Sequence, residues 1–224
     1  MGAELDPLTA IQYSAAFIAG LPAGPIVVTR DGRSSGGMLA DAVHSAVSAL
    51  GRQVIAAGIA ATPTTGVLVR QYRAAGGIQI SASHNPPQYN GLKLMSAEGC
   101  VISADEGQEV LRRYGSGDIT WCKYDTIGPL LSIEDTIGEH CQLVLSIVDV
   151  RRIRERKFRV VLDSNRGAGS LLGRHLLEQL GCELTCLGEP PDGQFEHPAE
   201  PTRENLRGVL KRVVEARADI GFCQ

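Results

Sequence analysis

The chain has 224 residues, enough for one large domain or two of ordinary size. It is 43% hydrophobic and 21% charged, an ordinary globular balance, but only 4% aromatic, so its core must be built from Ala, Val, Leu and Ile. A net charge of −3, with no basic stripe among aromatics, gives no electrostatic case for nucleic acid, and no apolar run approaches the ~20 residues that span a bilayer. The N-terminus shows no basic region followed by an apolar one, so no secretory signal is read and a cytoplasmic location is expected. Six cysteines, at 100, 122, 141, 182, 186 and 223, are scattered without a CxxC pair and are expected as free, mostly buried thiols.

Pro25 to Thr29 reads as a buried strand ending at the polar turn Arg30-Asp31-Gly32-Arg33-Ser34-Ser35-Gly36. Leu39, Ala42, Val43, Ala46, Val47 and Leu50 then recur at helical spacing, with Gly51 as the stop. A second strand over 53–57 leads to Thr62-Pro63, a cap followed by proline at the first helical position. That helix runs to about Ala74, and Gly77 to Ser81 forms a third strand. Leu92 to Met95, a turn at Glu98-Gly99 and Val101-Ile102 follow. Ser103 and Glu106 then form a capping box that opens a helix to about Tyr114.

Residues 115–132 are polar and read as a boundary, followed by one amphipathic bridging helix from Ile133 to about Ile153. The basic run Arg151 to Arg159 also holds Glu155, Ile153 and Phe158, and reads as a solvated helix end entering a strand. Strands over 159–163, 183–187 and 218–222 alternate with helices carrying Leu171 to Leu180 and Leu206 to Val214. This is the pattern of a parallel sheet with right-handed crossovers. The fold class expected is α/β, as two consecutive α/β/α layered domains. The first (1–130) has a mixed sheet; the second (131–224) is an incomplete β-α-β-α-β parallel sheet.

The most informative stretch is Ile80 to Lys93, where Ser83, His84, Asn85, Asn90 and Lys93 cluster around Pro86, Pro87 and Gly91. Prolines and a glycine make a rigid, tightly turned loop that displays polar groups and adds little to a core. No GxSxG elbow is present. Ser83 and His84 are sequence neighbours, and neighbours in an extended loop point apart, so a direct Ser–His pair is not expected. Asn85 and Asn90 can brace the loop through their amides. Lys93, on the strand leaving the loop, could act as a general base if partly desolvated. His84 can be read as a brace or as a chemical group. Arg30, Asp31 and Arg33 sit where α/β proteins bind anions, or Asp31 and Arg33 simply pair to hold the turn. Gly167-Ala168-Gly169 fails the dinucleotide pattern because Gly173 falls one residue late.

These residues resemble the α-D-phosphohexomutases: phosphoglucomutase, phosphomannomutase and phosphoglucosamine mutase. Ser81-Ala82-Ser83-His84-Asn85-Pro86 resembles their phosphoserine motif, Asn90-Gly91-Leu92-Lys93 the stretch after it, and Arg30 to Gly36 their Arg-Asp-x-Arg segment. Pro191 to Phe195 and Glu200 to Leu206 resemble loops of their second domain. The resemblance implies an enzyme that interconverts 1-phospho and 6-phospho forms of a hexose or hexosamine through phosphorylated Ser83 and a bisphosphorylated sugar. It further implies Lys93 as general acid/base, His84 beside the transferring group, and Arg30, Asp31, Arg33, Asn85 and Asn90 around the site. Mg²⁺ would be held partly through the Ser83 phosphate, with a glucose 1,6-bisphosphate-type activator. The family's N-terminal hairpin, Asp-rich metal loop and third and fourth domains are not found among these residues. The 224 residues alone are therefore expected to be inactive and open to self-association through exposed sheet edges. The alternative is a degenerate relative that binds sugar phosphates or a partner chain without chemistry.

Overall fold

A computed structural model describes residues 5–224 as two compact units. One comprises residues up to Arg30, Ser35–Ala82 and Gln88–Thr136; the other comprises Asp31–Ser34, Ser83–Pro87 and Ile137–Gln224.

The first unit is built on five strands: β1 (Ile26–Arg30), β2 (Val54–Ile59), β3 (Gly76–Ile80), β4 (Leu92–Met95) and β5 (Leu130–Ser132), ordered β4-β3-β1-β2-β5. All neighbours are parallel except β3 with β4, so the sheet is mixed. Alternation along β1 separates two apolar layers. Ile26 and Val28 join the cluster of α1 (Pro7–Ile18) and α2 (Gly36–Ala49), whereas Val27 joins Leu68 and Val69 of α3 (Thr62–Gln71). Thr29 follows Val27 onto the α3 side, where its hydroxyl meets that of Thr65 at 2.7 Å. α4 (Ala104–Ser116) opens on the Ser103/Glu106 capping box read from the sequence and packs against α1.

The second unit holds β6 (Arg159–Asp163), β7 (Glu183–Leu187) and β8 (Ile220–Cys223), all parallel and ordered β7-β6-β8. α7 (Gly169–Gln179) packs on β6 and β7, and α8 (Arg207–Glu215) on β6 and β8. The chain leaves β6 for one neighbour and returns to its other side, so the carboxyl end of β6 is a switch point in the topology. The α/β class, with one mixed and one parallel sheet, is as expected.

Four readings of the sequence need correction. Pro7–Ile18 is an unforeseen helix, capped by Asp6 accepting from Thr9 N at 2.7 Å. The single helix over 133–153 does not exist: α5 (Gly138–Ser146) and α6 (Val150–Arg156) are separate, because Asp149 caps a new start by accepting from Arg152 N at 3.0 Å. Within the stretch read as a boundary, Leu130–Ser132 instead pairs with β2 as strand β5. The cysteines are free thiols, but only Cys141 is buried.

Candidate functional site

Main-chain bonds close the base of the Ser83 loop. Ser81 N donates to Gly91 O at 2.9 Å, and buried Asn90 accepts from Gly91 N at 2.9 Å while its amide donates to Ser35 Oγ at 3.0 Å. Asn90 thus braces the loop as its type suggested. Ser83 itself adopts φ +57°, a left-handed conformation that costs a non-glycine residue about 1–2 kcal/mol. Strain of that kind persists where the surroundings enforce it.

Here Arg33 does the enforcing. It is only 2% exposed, and its guanidinium fans out to four acceptors. Nε meets Asp31 Oδ2 at 3.0 Å, Nη1 donates to Pro86 O, and Nη2 donates to Ser83 O at 2.9 Å and Asn85 O at 2.7 Å. The planar five-donor fork suits several fixed acceptors at once. Phe195 lies over it, 5.1 Å from guanidinium carbon to ring centroid. Asp31 and Arg33 do pair to hold the turn, and Arg33 then uses its remaining donors on the main chain of the Ser83 loop. Gly32 is required for close approach, since a Cβ there would lie 1.9 Å from the carbonyl oxygen of Pro191. At Gly193, with φ +71°, a Cβ would lie 2.8 Å from the Arg33 backbone. Arg30 is the last residue of β1, where its carbonyl accepts from Ala60 N at 3.0 Å.

Ser83 and His84 do not point apart. The left-handed turn at Ser83 brings its Oγ to 3.5 Å from His84 Nδ1, the outer limit of a hydrogen bond. The other ring nitrogen, Nε2, meets Glu200 Oε2 at 3.1 Å. Reasoning about individual residues missed Glu200; only the resemblance of the 200–206 segment drew attention to it.

Lys93, in the first unit, pairs across β3/β4 with Gln79, which puts both on the α3 face. Its Nζ donates to Thr62 Oγ1 at 3.1 Å, Thr62 Oγ1 donates to Gln79 Oε1 at 2.6 Å, and Gln79 Nε2 donates to Ala60 O at 2.9 Å. Thr62 is therefore inside its helix, with Ala61 as the cap residue, and its hydroxyl serves the lysine instead of capping.

Residues 1–119 match the family description "Phosphoglucomutase/phosphomannomutase, alpha/beta/alpha domain I", and residues 138–224 match domain II of the same family. The chain belongs to the phosphoglucomutase/phosphomannomutase family. It is 40% identical over 202 residues to a phosphoglucomutase/phosphomannomutase of Thermococcus kodakarensis, covering 89% of this chain and 44% of that protein. A protein of the same organism, named "Probable phosphoglucosamine mutase", is 34% identical over 219 residues, covering 98% of this chain and 48% of its own length. The crystal structure of a phosphoglucomutase/phosphomannomutase family protein from Burkholderia thailandensis superposes with a TM-score of 0.77 at 28% identity, covering 99% of this chain and 49% of that one. The chain thus spans about half the length of the curated relatives it matches.

The carboxyl end of β6 carries a second polar network. His197 Nε2 meets buried Asp163 Oδ2 at 2.7 Å, and its Nδ1 faces Pro198 O at 3.0 Å. Asn165 Nδ2 donates to His197 O at 3.0 Å, and Asn165 Oδ1 accepts from Glu196 N at 2.9 Å and His197 N at 3.2 Å. Arg166 grips Asp192 with two nitrogens, and with help from the Gln194 amide holds its carboxyl down at about 2. Burial works against a charged His197. The hydrogen bonds to Asp163 and the Pro198 carbonyl, with the nearby Asp163 and Glu196 charges, outweigh it and raise the pKa above the ordinary 6.5. A raised folded-state pKa contributes stability in full below about 6.5, and that stability is lost as pH rises through the folded value. We therefore expect denaturant stability to decline as pH rises above about 6.5, and His197→Asn to lack that slope. A His197→Asn profile parallel to wild type would refute the assignment.

Among the described residues no group of three His, Cys, Asp or Glu side chains could hold a metal ion. They do not supply the Mg²⁺ ligand set that the resemblance implies. Among the same residues, no helix is long and apolar enough to cross a membrane.

Proposed function

We propose that the protein to which this chain belongs is a phosphohexomutase that moves a phosphoryl group between the 1- and 6-positions of a hexose or hexosamine phosphate. Ser83 is the phosphoryl carrier. Phosphorylated Ser83 gives its phosphoryl to the free hydroxyl of a sugar monophosphate, the bisphosphate turns over, and the other phosphoryl returns to Ser83 Oγ. Lys93, as the neutral amine, takes the proton of the attacking sugar hydroxyl and, as the ammonium so formed, returns one to the leaving oxygen, with Thr62 and Gln79 orienting its Nζ. Phosphoryl transfer rests on positioning and charge neutralisation more than on covalent help. The observation that carries this reading is Ser83 held left-handed and outward by the buried Arg33 on three loop carbonyls. A loop serving only to connect strands would not need so costly an anchor. The relatives' names support both a phosphomannose/phosphoglucose and a phosphoglucosamine substrate.

The deciding experiment is phosphopeptide mapping of the full-length protein purified from cells. Phosphate on Ser83, lost on incubation with a hexose phosphate, is the expected result, and discharge rates would rank the substrates. An unmodified Ser83 that glucose 1,6-bisphosphate with Mg²⁺ cannot charge would overturn the reading in favour of a binding protein without chemistry. The 224 residues alone, spanning about half of such an enzyme, are expected to show no turnover at the ~1–10³ s⁻¹ typical of enzymes.

A further inference from the structure

We propose that Glu200 is a positioning residue that fixes the His84 ring against Ser83. The role rests on the reading of Ser83 as phosphoryl carrier. A carboxylate only accepts hydrogen bonds, so Glu200 Oε2 at 3.1 Å calls for the ring proton on Nε2, and of the two tautomers of a neutral imidazole it favours that one. Nδ1 then presents a lone pair to the Ser83 hydroxyl 3.5 Å away. A serine whose hydroxyl donates to Nδ1 turns its oxygen lone pairs towards an incoming phosphoryl group. Without Glu200 the ring, half exposed, is free to rotate and exchange tautomers.

An ordinary surface ion pair contributes little, because two long side chains must be ordered to form it. Glu200 differs because its backbone is already ordered. Its carbonyl accepts from Thr202 N and from Asn205 Nδ2, both at 2.8 Å, and Pro201 follows it directly. The loop before it is tied down through Asn165 to the Glu196 and His197 amides. The carboxylate is therefore delivered to His84 by a fixed main chain, and the entropy cost of the contact is largely met in folding. His84 in turn sits on a loop whose carbonyls Arg33 holds. Both partners are mounted rigidly, as a preorganised site needs.

The test measures single-turnover transfer from glucose 1,6-bisphosphate to Ser83 in the full-length protein, by intact mass, for wild type, Glu200→Ala, Glu200→Gln, His84→Ala and the Glu200→Ala/His84→Ala double variant. Glu200→Ala should slow charging on the order of 10²-fold with the KM for sugar phosphate little changed. Glu200→Gln, whose amide oxygen can still accept from Nε2, should recover most of the rate. In the His84→Ala background, removing Glu200 should cost nothing more, since the carboxylate acts through the ring. Nitrogen-15 shifts of the His84 ring should show one Nε2-protonated tautomer in wild type and a mixture in Glu200→Ala. A charging wild type with an unaffected Glu200→Ala variant, or independent multiplying losses in the double variant, overturns the role alone. A wild-type Ser83 that takes up no phosphoryl group overturns the mutase reading and this role with it.

Discussion

Arg33→Met should cost about 3–5 kcal/mol of stability, the scale of breaking a buried ion pair. The loss combines several effects. Asp31 loses its ion pair with Arg33, and the carbonyls of Ser83, Asn85 and Pro86 lose a charged donor. Hydrogen bonds to charged groups are worth about 1.5–3 kcal/mol each, though not additively. Methionine fills the volume beside Phe195 but donates nothing. Arg33→Lys should rescue little, because a single ammonium cannot reproduce a planar fork reaching four acceptors. Denaturant unfolding gives the energy, and hydrogen exchange at amides 83–87 gives the local consequence. Protection in that segment should fall further than in β1 or β3. A variant within 1 kcal/mol of wild type, with the loop amides still protected, would show that Arg33 is not the anchor.

Ser83→Ala should abolish phosphoryl uptake and lower mutase activity of the full-length protein by on the order of 10⁶, the scale seen when a covalent nucleophile is removed. The fold should remain intact, since residue 83 is exposed. Ser83→Gly separates chemistry from conformation. Glycine occupies φ +57° without the left-handed cost, so this variant should be at least as stable as Ser83→Ala and equally inactive. Thermal unfolding beside a discharge assay reads both. An active Ser83→Ala protein would point to a different phosphoryl carrier.

How much of this was legible in the sequence depended on how local each determinant is. The capping box at Ser103 and Glu106, the alternating strands and the braced Asn90 are set by residues a few positions apart, and they read correctly. The helix over 133–153 failed because apolar spacing continued through Ile147 and Val148, while the competing cap at Asp149 was one side chain among many. Thr62 looked like a cap because of Pro63, but β3 brought Gln79 and Lys93 to its hydroxyl instead. At the site, polar clustering marked the loop, and the Asp31–Arg33 pair was foreseeable at two residues' separation. The carbonyls that Arg33 grips lie 50–53 positions away, and no periodicity reports such distances. The expectation that Ser83 and His84 diverge assumed an extended backbone. Ser83 is instead left-handed, on a loop whose carbonyls Arg33 holds from outside it.

Arg33 meets the loop at the peptide oxygens of Ser83, Asn85 and Pro86, a kind of atom that every amino acid supplies. The loop's curvature is thus insulated from the identity of the groups it displays. A lineage could exchange His84 for another residue and still find the backbone in place beneath it. Chemistry at the tip is free to diverge under selection while the mount stays constant, provided that one arginine and the small residue beside it are kept.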